Sequence, residues 1–105
     1  MTSPERIREI IEFVTTDAYN DHEVMAGWGV ALDDAATLPI QATALGKPVT
    51  VLAFDSAPER GLRCEIQGEG MGRRWVGVDT LDLESLPAEI QEALEAFEAW
   101  SEGTY

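Results

Sequence analysis

The sequence contains one cysteine and one histidine, and it is poor in basic residues. A single thiol, Cys64, cannot form an internal disulfide or a zinc site built from several cysteines. Seven Lys and Arg residues face twenty Asp and Glu residues. Because Lys and Arg supply most of the affinity for phosphate groups, we expect no nucleic-acid partner. Binding to anionic membrane surfaces is disfavoured for the same reason.

Long apolar runs are also missing from the sequence. The opening residues, MTSPERIREI, alternate charged and apolar side chains, which is typical of neither a signal peptide nor a transmembrane span. Together with the lone cysteine, this pattern predicts a cytoplasmic protein. The 105 residues, 45% of them apolar, suit one folded domain over residues 1–105 rather than a disordered segment. We expect a monomer.

The most unusual property of the sequence is its formal net charge of -13, with a pI near 4.1. A folded domain with this excess of negative charge repels itself. Metal cations or basic partners are the natural means of relieving that repulsion.

Two helices are predicted within residues 1–36. Ser3–Pro4 is typical of a helix start, because the hydroxyl caps free N–H groups and the proline has no N–H to satisfy. Asn20 with Glu23 resembles a capping box that starts the second helix. We predict that this helix ends around Asp33–Asp34, where two carboxylates meet the negative end of the helix dipole. The apolar residues at helical spacing are Ile7, Ile10, Ile11 and Val14 in the first helix, and Val24, Trp28, Ala31 and Leu32 in the second.

Residues 39–80 change to strand-like patterns and predict a β core. The predicted strands are Pro39–Leu45, Val49–Phe54, Leu62–Ile66 and Arg73–Val78, with a loop at Asp55–Gly61 and a glycine-rich turn at Gly68–Gly72. Four or five short strands joined by tight turns indicate an antiparallel, barrel-like sheet.

A third helix is predicted over residues 86–102, with Ser85 as its cap and Pro87 in its first turn. Its apolar stripe contains Ile90, Ala93, Leu94, Phe97 and Trp100, and its glutamates lie on the other face. The expected fold is therefore α+β, with two N-terminal helices and one C-terminal helix packed around a small barrel-like sheet.

Catalytic patterns are weak, and we expect no enzymatic activity. His22 is predicted to be an exposed residue near a helix start and Cys64 a buried strand residue, so they are not expected to form a nucleophile–base pair. Gly68–Gly72 has alternate glycines but no lysine in the position of a phosphate-binding loop. A small hydrolase that uses a pair of carboxylates is the least favoured alternative, because the acids are spread over the chain.

Carboxylate clusters are the residue-level signal that remains. Calcium binds six to eight oxygen atoms from carboxylates, carbonyls and water in flexible geometry, and Asp and Asn residues at helix ends can supply them. None of the clusters matches an EF-hand loop. On composition alone, a solvated surface or a helix cap is the commoner explanation of each cluster. The clusters are Asp17, Asp21 and Glu23 with Asn20; Asp33–Asp34; and Asp79, Asp82 and Glu84.

Several motifs in order resemble one family. They are Asp17-Ala-Tyr-Asn20 with acids at 21 and 23; Trp28; Leu32-Asp33-Asp34; Leu38-Pro39-Ile40 at the start of a strand; Gln41-Ala42; and the closing segment from Glu92 to Trp100. Over residues 7 to 102 this pattern is similar to the cyanobacterial calcium-binding protein family, small acidic proteins that act in calcium homeostasis and signalling.

The resemblance implies a calcium-binding protein and points to its ligands. In that family, acidic residues after the first helix and at the end of the second helix contribute to calcium binding. Carried over, this implicates Asp33–Asp34 first, then Asp17, Asp21 and Glu23. The loop at Asp55–Gly61 departs from the acid-rich loop expected of the family, since it has only two acids. A calcium site in that loop would be weakened or absent.

A different class of function remains open beside calcium binding. An interaction domain that docks a basic protein partner without calcium explains the net charge equally well. The exception to the acidic surface is a group of arginines predicted on the strands, which we expect to pair with Glu59, Glu65 and Glu69. These are Arg60, Arg63, Arg73 and Arg74.

Overall fold

A computed structural model describes residues 2–16, 18–57 and 61–103 of the chain. These residues form three α-helices and a four-stranded antiparallel sheet, which confirms the α+β class. The helices are α1 (Pro4–Thr15), α2 (Asp21–Ala35) and α3 (Ala88–Glu102). The strands are β1 (Ile40–Ala44), β2 (Lys47–Ala57), β3 (Gly61–Gly68) and β4 (Arg74–Gly77), and two short 3-10 helices, Val78–Thr80 and Leu83–Ser85, lead into α3.

The first two helices begin where the sequence predicts. The Ser3 hydroxyl accepts a hydrogen bond from the Arg6 backbone N–H, and Pro4 occupies the first helical position. The Asn20 side chain accepts from the Glu23 backbone N–H at 2.9 Å. The Glu23 carboxylate accepts a hydrogen bond from the N–H of Tyr19. In a standard capping box the donor would be the N–H of the N-cap residue, Asn20, so the box here is one residue wider.

The start of α3 differs from the prediction. Pro87, not Ser85, occupies the N-cap position, and the helix begins at Ala88. The Ser85 hydroxyl instead accepts from the Thr43 backbone N–H and donates to the Asp82 carbonyl. The predicted Ser85 cap is therefore wrong, because a partner on a distant strand uses the hydroxyl.

The sheet is open rather than barrel-like. Its strands follow the order β1-β2-β3-β4, every neighbouring pair is antiparallel, and no ladder joins β1 to β4. The outer edge of β1 meets an isolated bridge between Ala44 and Leu81 rather than a further strand among the described residues. The barrel-like description is corrected accordingly: tight turns produce antiparallel pairing, but they do not determine whether the outer strands meet.

β2 is longer than predicted. It extends to Ala57 and pairs Asp55 with Arg63 of β3, past a register shift between Val51 and Ala53. The predicted loop at Asp55–Gly61 is therefore wrong at both ends, and residues 58–60 lie outside the described residues. The glycine-rich turn is confirmed, with the Met71 N–H donating to the Gly68 carbonyl.

The core lies between one face of the sheet and α2, with α1 and α3 packed against α2. Trp28 and Leu32 of α2 are completely buried. The Trp28 ring meets Phe97 edge-on at 5.5 Å between centroids and Trp100 at 5.9 Å. These contacts join the middle of α2 to α3. Within the described residues, no helix is long and apolar enough to cross a membrane.

The core position of Leu32 predicts a large effect on stability. Leu32→Ala removes fully buried methyl groups and leaves a cavity, which should lower the free energy of unfolding by about 2–5 kcal/mol. Val30→Ala on the same helix is the control, because Val30 is 56% exposed and should change stability by less than about 0.5 kcal/mol. Urea unfolding followed by tryptophan fluorescence measures both, and similar losses in the two variants would contradict the assigned core.

Candidate metal centre

Asp33 and Asp34 lie in the last turn of α2, and both side chains are exposed. This turn contains no basic residue. Within the described part of the chain, neither carboxylate forms an ion pair. Two adjacent negative charges therefore face the negative end of the helix dipole, which is an unfavourable arrangement without a cation.

The backbone at this end of α2 leaves its last carbonyls available. At the end of α1, the backbone N–H of Thr16 donates a hydrogen bond to a carbonyl of the last turn. At the end of α3, the backbone N–H of Gly103 does the same. Ala36, the cap of α2, is extended, and the described residues show no such bond from it. The end of α2 therefore offers carbonyl oxygens beside two carboxylates, and hard cations such as calcium prefer such oxygen ligands.

The second predicted group of ligands lies at the other end of the same helix. Asp21 and Glu23 are exposed in the first turn of α2. At a rise of 1.5 Å per residue, Asp21 and Asp33 are separated by about 18 Å along the helix. One ion cannot contact both groups, so the ligands predicted from the sequence belong to two separate sites. Asp17 lies outside the described residues.

The oxygens of this second group already take part in helix capping. Glu23 accepts from the Tyr19 N–H at 2.7 Å, and Asn20 accepts from the Glu23 N–H. Nowhere in residues 2–16, 18–57 and 61–103 do three Asp, Glu, His or Cys side chains gather closely enough to hold a metal ion by themselves. A cation at either end of α2 would thus depend on backbone carbonyls and water for most of its ligands.

The third acidic cluster has a structural role. The Asp82 carboxylate accepts from the Thr43 hydroxyl at 2.8 Å and from the Gly46 N–H at 3.0 Å. The Asp82 N–H donates to the Thr43 carbonyl at 2.8 Å. These bonds attach the segment before α3 to β1 and to the turn that follows it. Glu84 is exposed.

The histidine and the cysteine are placed as the sequence predicts. His22 is exposed in the first turn of α2, whereas Cys64 is fully buried in β3. Burial, together with the negative charge of Asp79, raises the pKa of the Cys64 thiol to about 11, and Arg63 partly opposes this rise. A neutral, buried thiol is a poor nucleophile.

The strand arginines do not form the predicted pairs within the described residues. The guanidinium of Arg63 donates to the Trp75 carbonyl at 2.9 Å rather than contacting Glu65. The ion pairs present join Arg6 to Glu9 at 3.4 Å and to Glu92 at 3.6 Å. Glu59 and Arg60 lie outside the described residues.

The structure brings together acids that the sequence analysis did not connect. Asp34 lines a surface groove between α1, α2 and α3, and Glu9, Glu89 and Glu92 line the same groove. The apolar stripe of α3 predicts that its glutamates lie on a solvated face. No local signal could have paired them with Asp34, because the two groups are far apart in the sequence and meet only through helix packing.

The bonds of Asp82 predict that it supports the fold. Asp82→Ala should lower the free energy of unfolding by roughly 1–3 kcal/mol, because it leaves the Gly46 N–H and the Thr43 hydroxyl without their acceptor. Glu84→Gln, an exposed neighbour, is the control and should have little effect. Chemical unfolding in a calcium chelator checks this assignment, and a loss that appears only with calcium present would make Asp82 a ligand instead.

The fold of this chain is similar to the folds of two known proteins. No protein-family model matches the sequence, and no curated protein matches it by sequence. Two solved structures match nearly the whole chain. One is a calcium binding protein in the calcium-binding form, with a TM-score of 0.73 and 19% identity over 98% of this chain and 94% of that chain. The other is CcbP from Anabaena, with a TM-score of 0.77 and 18% identity over 96% of this chain and 92% of that chain. These matches show that the chain shares the fold of both proteins, which agrees with the resemblance found in the sequence.

Proposed function

We propose that this protein binds calcium at the C-terminal end of α2, through Asp33 and Asp34, and acts in calcium buffering or signalling. The observation that carries the proposal is the pair of exposed carboxylates at that helix end, which form no ion pair within the described residues. A bound divalent cation offsets both their mutual repulsion and their repulsion from the helix dipole.

The ligands available favour calcium over magnesium. Calcium accepts a variable number of carboxylate, carbonyl and water oxygens, whereas magnesium requires a small, regular octahedron and keeps its water. Two carboxylates and the free carbonyls of a helix end form an irregular set of this kind. Because few charged ligands are fixed in advance, we expect a dissociation constant on the order of 10⁻⁵ to 10⁻⁴ M.

The fold supports the same proposal. Two solved structures share it over more than nine-tenths of this chain: one is a calcium binding protein in the calcium-binding form, and the other is CcbP from Anabaena. The net charge of -13 supplies the long-range attraction for a divalent cation.

A second, weaker calcium site is proposed at the start of α2, formed by Asp17, Asp21 and Glu23. At this helix end, oxygens of Glu23 and Asn20 already accept the hydrogen bonds that cap the helix. The positive end of the helix dipole also disfavours a cation there. We therefore rank this site below the one at Asp33–Asp34.

We infer a binding protein rather than an enzyme, and a cytoplasmic monomer. The thiol of Cys64 is buried and neutral, so it is unsuited to nucleophilic attack. The large negative charge opposes association between copies of the chain. A single buried cysteine is compatible with a reducing compartment.

Calcium titration by calorimetry tests the proposal. We expect saturable calcium binding that magnesium does not reproduce, and we expect the double change Asp33→Asn with Asp34→Asn to weaken it by about tenfold or more. The matched control is Glu98→Gln with Glu102→Gln, which removes two exposed charges from the C-terminal part of α3, outside the groove that Asp34 lines. Equal heats with calcium and magnesium, or equal losses in both double variants, would show general charge screening and refute the site.

The repulsion at the end of α2 also predicts an effect on the free energy of unfolding in the absence of calcium. In a chelator, Asp33→Asn and Asp34→Asn should each raise the free energy of unfolding, by about 0.3–1 kcal/mol at low salt, because each removes a charge from the negative helix end. Glu89→Gln in the first turn of α3 should have the opposite sign, since a negative charge is favourable there. Chemical unfolding at low and high salt measures both. If the Asn variants lost stability instead, the carboxylates would already be satisfied within the fold.

A further inference from the structure

The groove between α1, α2 and α3 combines an apolar floor with an acidic rim. Its floor is formed by Ile10, Ala31, Ala35 and Ala93, one or more from each helix. Phe13 stands at its edge with 75% of its surface exposed, so its ring adds to the apolar surface that a partner can contact. The cavity volume is about 560 Å³, which is enough for one or two large apolar side chains of a binding partner.

The rim carries four carboxylates and one guanidinium. Arg6 contacts Glu9 and Glu92, and it partly neutralises both. Asp34 and Glu89, on opposite walls of the groove, have no cationic partner among the described residues. The two remaining negative charges flank the apolar floor, so the groove is complementary to a segment that presents apolar side chains between positive ones.

The walls of the groove also restrict the backbone conformation of a segment that binds in it. All three are helices, and a helix presents no strand edge with which an extended peptide could pair. A bound segment must therefore satisfy its own backbone, and a helix does so.

From these features we propose that the groove docks a basic amphipathic helix of a partner protein, and that calcium weakens this docking. The second part rests on the proposed calcium site, because Asp34 belongs to both the site and the groove, whereas Asp33 does not line the groove. Calcium bound to Asp34 removes its charge from the rim and occupies its oxygens. By thermodynamic linkage, the bound helix lowers calcium affinity by the same factor.

The test is binding of a fluorescent synthetic peptide to the full chain, followed by anisotropy at an ionic strength of about 0.15 M. The peptide contains only Leu, Ala and Lys, with leucines on one helical face and lysines on the other. It has no side-chain carboxylate and is amidated at its C-terminus, so calcium acts on the protein alone. A scrambled peptide of the same composition controls for attraction between opposite charges. We expect the amphipathic peptide to bind and the scrambled peptide to bind at least about fivefold more weakly.

Groove variants then locate the binding. Phe13→Ala and Glu89→Gln should each weaken the amphipathic peptide by about fivefold or more. The control Glu12→Gln removes an exposed charge from α1 outside the groove and should leave affinity nearly unchanged. Phe13 and Glu89 are exposed, so these variants should still fold, and circular dichroism verifies this. Equal binding of both peptides, or affinity that no groove variant changes, would overturn the docking proposal.

Calcium and Asp33→Asn separate the two parts of the proposal. Calcium, but not magnesium, should weaken peptide binding by at least about fivefold. Asp33→Asn should retain peptide affinity without calcium and lose the calcium effect. If the protein binds calcium by calorimetry but the peptide affinity does not change, the antagonism is refuted. If the protein binds no calcium while groove variants still reduce peptide binding, the proposed calcium function fails and the docking stands.

Discussion

The burial of Trp28 and Leu32 between the sheet and α3 is the interaction on which the rest of the structure depends. Both side chains are completely buried, and the Trp28 ring contacts Phe97 and Trp100 of α3. Because these contacts fix α2, they also fix the surface positions of its two ends. Asp33 and Asp34 are therefore held at the surface, and Asp34 lines a groove that α1 and α3 complete.

Local signals in the sequence predict the helices well. A cap needs only residues within one turn, so Asn20 and Glu23 identify the start of α2. The apolar stripe of each helix is likewise a short-range pattern, and it identifies Trp28 and Leu32 as core residues. The acidic end of α2 also follows from the sequence, because it depends only on where the helix stops.

Features that depend on distant contacts were not predictable. The sheet stays open because β1 and β4 never meet, and no turn encodes that outcome. Ser85 bonds to Thr43 of β1 rather than capping α3, and Asp82 binds the same strand. The groove that joins Asp34 to Glu89 likewise needs the packing of three helices. Sequence patterns therefore placed Asp33 and Asp34 at the end of α2, but they did not show which other residues lie beside them.

The most direct test of the proposed calcium site is nuclear magnetic resonance of isotope-labelled protein during a calcium titration. A site at the end of α2 predicts that the largest, saturable changes in amide shifts occur at residues 32–37, with smaller changes near residues 18–23 and little change in β2 and β3. Magnesium at the same concentration should not reproduce the pattern. Small shifts spread evenly over all the acidic helices, equal for both ions, would contradict a specific site and leave only general attraction of cations to the negative surface.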